Sequence, residues 1–478
     1  MIPPLRRFAG SLGSVSHAAA AAVDLVIAAY AVALLVWLAG GALALGALIP
    51  NRAEKPLLIL LIAIPLRAAL GGRSWLIDGL GQVAGPALVR LRRLAIRVPP
   101  AVADVAFACA VTRLAAIPVA FIANLLFPPW RARAFAMPFR HERFAEIFAA
   151  WDSGWYFDIA RHGYYWRPDG QSSVAFFPLY PMLMRTVAWP FGGSDAAVWA
   201  AGVGVSCTAF ALALLLLHRF AERVCGTREC ARRTVLYLAI FPFSFFFTRV
   251  YAESIFLLMS VLAISRAHEA RWWQAGAWSS LAAVARPNGV LVVLPLALMA
   301  ISDRPSARTL LVRSGALLLA PLALAGYSAY VYTLSGNPLG WLAAQSQWGY
   351  SLGHAPWQLL LRMIGRIVKH GPYDYFFLSK LAPFRLFHGI TALVFLVLTP
   401  AIFKRLGLAL GTYVLVSLLV PLSGNALEGV GRYAAVLFPA FMLMGSARSR
   451  WVHEAILIVS GLYLALLASL FVTLRPIY

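Results

Sequence analysis

The chain has 478 residues, of which 61% are hydrophobic and 12% are charged, with a formal net charge of +23. Soluble domains carry about 25% charged residues, so this composition excludes an ordinary soluble protein. The basic residues form short clusters between apolar runs, which is typical of cytosolic loops in membrane proteins and argues against a nucleic-acid partner. The spacing of the four cysteines indicates neither a disulfide framework nor a zinc site.

Apolar runs recur from Val23 to Leu474 and predict an all-α polytopic membrane protein. A helix needs about 20 apolar residues to cross a bilayer, and its backbone polar groups must pair internally in lipid. We therefore predict a bundle of about 13 transmembrane helices. Their expected ranges are 22–49, 56–71, 101–127, 196–218, 233–248, 252–267, 273–286, 289–302, 309–333, 386–403, 406–422, 433–446 and 452–473.

The distribution of basic residues orients these helices. With a cytosolic N-terminus, nearly all arginine clusters fall on the cytosolic side. Residues 1–100 then form a two-span N-terminal extension with a basic cytosolic linker. Residues 101–478 form the main transmembrane domain, with outer loops at 128–195 and 334–385. In the second loop, residues 357–369 predict an amphipathic helix whose basic stripe contacts lipid headgroups.

Five groups of polar residues fall at the outer ends of the predicted helices. They are Asp152 and the segments 251–254, 286–289, 337–350 and 428–433. Ionisable groups at membrane depth are costly and commonly functional. Because all five groups are expected on the same side of the membrane, we predict one outward-facing site that is built from several loops.

An aromatic-rich segment, residues 151–181, lies in the first outer loop. Its pattern predicts a short helix over 153–162 that ends at Gly163. The rings suit stacking on a sugar, although a re-entrant loop packed on neighbouring helices would need the same rings. The predicted wall of the sugar or acceptor site consists of Trp151, Tyr156, His162, Tyr164, Phe176, Phe177 and Tyr180.

Asp152, at the start of this helix, has two interpretations. It is either only the N-cap of the helix or a general base at the membrane surface. A sugar on a lipid phosphate already has a good leaving group. Its transfer needs a base for the acceptor hydroxyl and cations for the departing phosphate, but no general acid. We favour Asp152 as this base, with Asp158 and His162 as rivals.

Arg286 lies in an apolar run and begins an Arg-Pro-Asn-Gly turn. A charge in such a place requires a partner. We predict that Arg286 and Asn288 bind the donor phosphate, and an ion pair between Arg286 and Glu253 is a compatible alternative. Arg249 and Arg432 are further phosphate ligands, and Arg432 is equally well explained as an interfacial side chain. The residues assigned to site organisation are Tyr251, Glu253, Ser254 and Arg113.

Four groups of these residues, taken in order, resemble the PIG-V-type mannosyltransferases, relatives of the enzyme that adds the second mannose to GPI anchors. The resemblance covers residues 105–300, and Arg113-Leu114 also fits it. The matching strings are Trp151-Asp152 with Ile159-Ala160 and His162-Gly163-Tyr164, Ala175-Phe176-Phe177-Pro178 with Pro181, Tyr251 with Glu253-Ser254 and Phe256, and Arg286 with Asn288-Gly289.

The resemblance implies a GT-C-type membrane fold and a polyprenyl- or dolichyl-phosphate-mannose donor. It implies inverting, metal-independent transfer at the outer or lumenal face, with no cofactor besides the lipid-linked co-substrate. The Asp base of that superfamily maps onto Asp152. The departures from the family, which are the N-terminal extension over 1–100 and Pro287, remove no proposed catalytic group.

We therefore expect a polyprenyl-phosphate-mannose-dependent mannosyltransferase, multi-pass in the inner (plasma) membrane, with its site facing the periplasm or the outside. A eukaryotic source would place it in the ER membrane, but the excess of Arg over Lys favours a bacterial one. Its partners are the lipid donor, membrane lipids and a glycan, glycolipid or glycoprotein acceptor. The alternatives are a transferase for another polyprenyl-phosphate-linked sugar and a lipid or sugar-lipid transporter.

Overall fold

The structure is a computed structural model that describes residues 21–30, 63, 98–130, 143–350, 353–375, 382–424 and 427–477. Contacts divide the chain into two units, Met1–Pro99 with His141–Phe144, and Pro100–Arg140 with Ala145–Tyr478. The predicted helices over 22–49 and 56–71 fall almost entirely outside the described residues. The cavity described below lies entirely within the second unit.

The described residues form helices joined by turns and loops, with no β-strand among them. The α-helices are α1 (Ala21–Tyr30), α2 (Pro100–Leu126), α3 (Arg143–Glu146), α4 (Ser153–His162), α5 (Leu179–Ala188), α6 (Asp195–Cys225), α7 (Arg228–Ile240), α8 (Glu253–His268), α9 (Trp272–Ala283), α10 (Val293–Ile301), α11 (Ala307–Leu317), α12 (Leu319–Ser335), α13 (Gly340–Gln345), α14 (Gln358–Tyr373), α15 (Ala382–Leu406), α16 (Leu408–Leu422), α17 (Val430–Ala435), α18 (Phe438–Gly445) and α19 (Arg450–Val472). Short 3₁₀ helices cover Ser173–Ala175, Trp189–Phe191, Ser244–Thr248, Gly289–Val292 and Ser346–Trp348.

Five helical segments of the described chain are long and apolar enough to cross a bilayer. They are Pro100–Leu126, Asp195–Cys225, Ala307–Ser335, Phe384–Leu406 and Arg450–Val472. The shorter apolar helices are Ala21–Tyr30, Gly289–Ile301 and Leu408–Leu422. These findings confirm an all-α, multi-pass membrane protein, whereas the predicted count of about 13 crossings is not confirmed.

Several predicted spans are broken or short. Helix α7 ends at Ile240, and the predicted span over 233–248 continues only as a 3₁₀ helix. The predicted span over 433–446 is divided between α17 and α18. Helix α8 has 16 residues, so it rises about 24 Å, less than the hydrocarbon thickness of about 30 Å. The chain therefore turns inside the protein, where its free backbone groups need partners.

Arg113 of α2 supplies such partners at the break after α7. Its guanidinium donates hydrogen bonds to the carbonyl oxygens of Ala239 at 2.8 Å and Ser244 at 2.9 Å, and to the Ser244 hydroxyl at 3.1 Å. Asp104, the nearest acid in the same helix, instead accepts from Arg228 and pairs with His218, each at 3.0 Å. Arg113 thus satisfies the end of α7 rather than forming an ion pair within α2.

Helix α8 lies at the centre of the bundle. Nearly all its residues are buried, and it packs against α6 on one side and α9 on another. Glu253, its first residue, is therefore held at a fixed depth inside the protein. The turns that precede α8 and α10, together with segments from distant parts of the chain, surround this end of α8 and form the cavity described below.

Helix α14 has the amphipathic character predicted for residues 357–369. Leu359, Leu360 and Met363 are buried in an apolar cluster, whereas Arg362, Arg366 and Lys369 are exposed. The helix kinks at Gly371, whose φ of 75° lies in the left-handed region, just before Pro372.

Candidate active site

One cavity of about 550 Å³ brings together residues from all five polar segments that the sequence singled out. Its charged wall consists of Asp152, Glu253, Arg286 and Arg432. Its other walls include Tyr156, Gln171, Phe176, Phe177, Asn288, Val290, Leu291, Leu342, Gln345, Gln347, Trp348, Tyr350, Val420 and Tyr433. Residues up to 281 positions apart in the sequence (152 to 433) thus border one space.

Asp152 stands at the N-cap position of α4, but its side chain makes no capping hydrogen bond. The carboxylate instead accepts a hydrogen bond from Nη1 of Arg432 at 2.7 Å. Helix α4 ends at Gly163 with a φ of 89°, as predicted. The interpretation of Asp152 as only a helix cap therefore does not account for the direction of its side chain.

The backbone around Asp152 is strained, and the Tyr251 hydroxyl holds it in place by two hydrogen bonds. Trp151 has a φ of 57°, a left-handed conformation that bulky residues rarely adopt. The hydroxyl of Tyr251 accepts a hydrogen bond from the Asp152 backbone N–H at 3.1 Å and donates one to the Ala150 carbonyl oxygen at 3.2 Å. This clamp offsets the strain and fixes the position of the Asp152 backbone.

Two acids and two arginines alternate along the charged wall. Glu253 pairs with Arg286, with Oε1 and Nη1 at 3.3 Å, and lies 3.8 Å from Nε of Arg432. Burial opposes ionisation, yet the carboxylates of Asp152 and Glu253 hold the pKa of Arg432 well above its ordinary value. The Tyr433 ring lies 4.5 Å from the guanidinium carbon of Arg286. The four formal charges therefore balance.

The predicted phosphate ligands separate into two groups. Arg286, Asn288 and Arg432 line the cavity, whereas Arg249 does not. Arg249 is buried, with its guanidinium carbon 5.4 Å from the Phe148 ring centroid and 5.9 Å from that of Phe471.

The residues predicted to organise the site act mainly through backbone groups. Ser254 donates a hydrogen bond to the Phe247 carbonyl oxygen at 3.0 Å, Tyr251 clamps Asp152, and Arg113 satisfies the end of α7. Of the four, only Glu253 lines the cavity.

The predicted aromatic wall is only partly placed at the cavity. Tyr156, Phe176 and Phe177 line it. The other four members, which are Trp151, His162, Tyr164 and Tyr180, do not.

Two of these four residues, both tyrosines, have clear structural roles. The Tyr164 hydroxyl donates to the Phe176 carbonyl oxygen, and the Tyr180 hydroxyl donates to that of Gly202, each at 2.8 Å. His162 is mostly exposed, and its Nδ1 lies 2.8 Å from Oδ1 of Asp158. The two rival bases thus contact each other outside the cavity.

Individual residues of the segment 337–350 were not predicted, although the segment was. Gln347 accepts a hydrogen bond from the Ser172 N–H at 2.9 Å, and Gln345 donates one to the Ala175 carbonyl oxygen at 2.9 Å. These amides join the segment 337–350 to the segment 151–181 at the wall of the cavity. Their polarity within an apolar stretch was the only signal in the sequence.

The chain is similar to known proteins over part of its length. The family described as Mannosyltransferase (PIG-V) matches residues 106–304. GPI alpha-1,6-mannosyltransferase 2 of Rattus norvegicus is 29% identical over 152 residues, which is 30% of this chain and 30% of that protein. The chain thus matches less than a third of this relative's length.

A solved structure is also similar to this chain. It is the archaeal oligosaccharyltransferase AglB from Archaeoglobus fulgidus, in complex with an inhibitory peptide and a dolichol-phosphate. The similarity covers 76% of this chain and 55% of that one, with 13% sequence identity and a TM-score of 0.39.

Proposed function

We propose that this chain, which is similar to the mannosyltransferase (PIG-V) family over residues 106–304, transfers mannose from a polyprenyl-phosphate-mannose donor to an acceptor hydroxyl. Transfer takes place at the outer face of the membrane and inverts the configuration at the anomeric carbon. The observation that carries the proposal is the Asp152–Arg432 pair, 2.7 Å apart, in a cavity that also holds Arg286 and Glu253.

The cavity has surfaces suited to both halves of such a donor. Val290, Leu291, Leu342 and Val420 supply apolar surface for the first isoprene units. Arg286 and Arg432 supply cations for the phosphate, and arginine is well suited to bind phosphate oxygens. The acceptor enters past the polar and aromatic rim that includes Gln171 and Trp348.

In the reaction, Asp152 removes the proton from the acceptor hydroxyl while the acceptor oxygen bonds to the anomeric carbon of mannose. The bond between that carbon and the phosphate oxygen breaks, and polyprenyl phosphate leaves with both bonding electrons. Asp152 loses its negative charge as the phosphate gains one. Arg432 is released from the neutralised carboxylate and turns to the phosphate, so the total charge of the site is unchanged.

Asp152→Asn tests the assignment of the base. We expect mannose transfer to fall by about 10²-fold or more, since this is the usual contribution of general-base catalysis. Transfer is measured with the purified protein in nanodiscs, and the thermal unfolding temperature verifies that the variant is folded. Asp158→Asn is the matched control and retains activity, because that carboxylate lies outside the cavity. Full activity in folded Asp152→Asn would refute the assignment.

The identity of the sugar is tested separately. A panel of polyprenyl-phosphate-linked sugars offered to the wild-type protein should show a preference for mannose. Faster transfer of another sugar supports the alternative transferase, and sugar-lipid movement across vesicles without any transfer supports a transporter.

A further inference from the structure

We propose that Asn288 and Glu253 form a subsite for the hydroxyl groups of the transferred sugar, so that Asn288 binds the sugar rather than the donor phosphate. This inference rests on the proposed function and assigns the two ends of the donor to different residues. The assignment of Asn288 to the phosphate, made from its place beside Arg286 in the sequence, is thereby revised.

The side chains of Asn288 and Glu253 are both buried and both have polar atoms without a hydrogen-bond partner in the described chain. Asn288 is 3% exposed and lines the cavity, yet neither Nδ2 nor Oδ1 of its amide has a hydrogen-bond partner within the described chain. Glu253 is 2% exposed and lines the same cavity, and its Oε2 also lacks a hydrogen-bond partner there. Buried polar groups are rarely left unpaired, because they lose their hydration without compensation. A ligand in the cavity can supply the missing hydrogen-bond partners.

The chemistry of the unpaired atoms selects the ligand. The amide of Asn288 offers two N–H donors and one acceptor oxygen, and the carboxylate of Glu253 offers only acceptors. An ionised phosphodiester has acceptor oxygens and no proton to donate, so it leaves Oδ1 and Oε2 unsatisfied. Sugar hydroxyls both donate and accept, and they satisfy the complete set.

The turn that carries Asn288 is rigid, as recognition of a sugar requires. The Gly289 N–H donates to the Arg286 carbonyl oxygen at 2.8 Å, and the Leu291 N–H donates to that of Asn288 at 3.1 Å. A Cβ at Gly289 would lie 1.8 Å from the Ala282 carbonyl oxygen, so the turn packs directly on α9. The amide is therefore presented from a fixed backbone, beside the Arg286–Glu253 pair.

The test compares a ligand that carries the sugar with one that lacks it. A short-chain prenyl-phosphate-mannose and the matching prenyl phosphate are titrated against wild type, Asn288→Ala and Arg286→Gln. We expect Asn288→Ala to weaken binding of the sugar-bearing ligand about tenfold, the equivalent of one buried hydrogen-bonding site. Its affinity for prenyl phosphate should stay within about twofold of wild type. Arg286→Gln, the control on the phosphate side, should weaken both.

The possible outcomes separate this inference from the proposed function. Equal weakening of both ligands by Asn288→Ala, or of neither, overturns the sugar subsite while leaving the proposed function intact. If folded wild type binds neither ligand, the proposed donor itself is wrong. Thermal unfolding of each variant establishes that it is folded.

Deoxy-mannose donors identify the hydroxyl concerned and provide a second readout. If Asn288 contacts a given hydroxyl, removing that hydroxyl from the donor weakens binding to wild type. The same removal does not further weaken binding to Asn288→Ala. A side chain with a purely structural role would instead give losses that add for every deoxy donor. Additive losses throughout the series refute the contact.

Discussion

At the scale of single residues, the ion pair between Asp152 and Arg432 lies at the centre of the proposed reaction. The two side chains are 17% and 12% exposed, so solvent compensates little for the loss of either one. Removing one partner of a buried pair leaves the other charge without compensation. The two partners are not equivalent, however, because Arg432 also lies 3.8 Å from Glu253.

This asymmetry predicts different effects on stability. Arg432→Met leaves Asp152 without its cation, and we expect the free energy of unfolding to fall by about 2–4 kcal/mol. Asp152→Asn leaves Arg432 with Glu253 as its partner, so the free energy of unfolding should fall by clearly less. Denaturation in detergent measures both values. Equal losses would show that the Glu253 contact does not compensate Arg432.

At this scale the sequence predicts that a charged side chain in an apolar run has a partner of opposite charge. It does not predict the direction in which a side chain points. The pairing of Arg286 with Glu253 was anticipated because an arginine in an apolar run needs an acid. The burial of Arg249 away from the cavity could not be anticipated. It lies only two residues before Tyr251, and sequence spacing does not reveal in which direction a side chain leaves a 3₁₀ turn.

At the scale of elements, the breaks in the short helices determine where the site can form. A continuous helix over 233–248 was predicted because hydropathy does not register an interrupted backbone. The structure ends α7 at Ile240 and uses Arg113, from a different helix, to satisfy the free carbonyl oxygens. Such a partnership over more than 120 residues of sequence leaves no local signal.

Arg113→Met tests this role. The substitution removes three hydrogen bonds at the end of α7, so we expect a loss of about 2–4 kcal/mol in unfolding free energy. Arg185→Met, at an exposed position of α5, is the matched control and should change stability by about 0.5 kcal/mol or less. Comparable losses in both variants would contradict the role of Arg113 at the break.

At the scale of the whole molecule, distant segments meet at one end of α8. The sequence predicted this convergence from the distribution of charge, because all five polar segments fell on the side opposite nearly all arginine clusters. It could not predict which residues of each segment would face the cavity, since that depends on how α8, α9 and α16 pack. The number of bilayer crossings was harder still, because half-length helices resemble complete spans in composition.

The orientation of the molecule is tested by labelling. In a cysteine-free background, Gln171→Cys lies at the rim of the cavity, and Arg308→Cys lies in a predicted cytosolic loop. Both positions are exposed. A membrane-impermeant maleimide should label the first in intact cells and the second only after permeabilisation. The reverse pattern would place the cavity on the cytosolic side.

The balance of charge in the cavity bears on how the donor arrives. Two carboxylates and two guanidinium groups cancel, so the site projects little field beyond a Debye length of about 8 Å at physiological ionic strength. The proposed donor is anchored in the bilayer and does not need long-range attraction, because lateral diffusion brings it to the cavity. Capture then depends on contact, and its rate should vary little with added salt, in contrast to enzymes that steer soluble charged substrates.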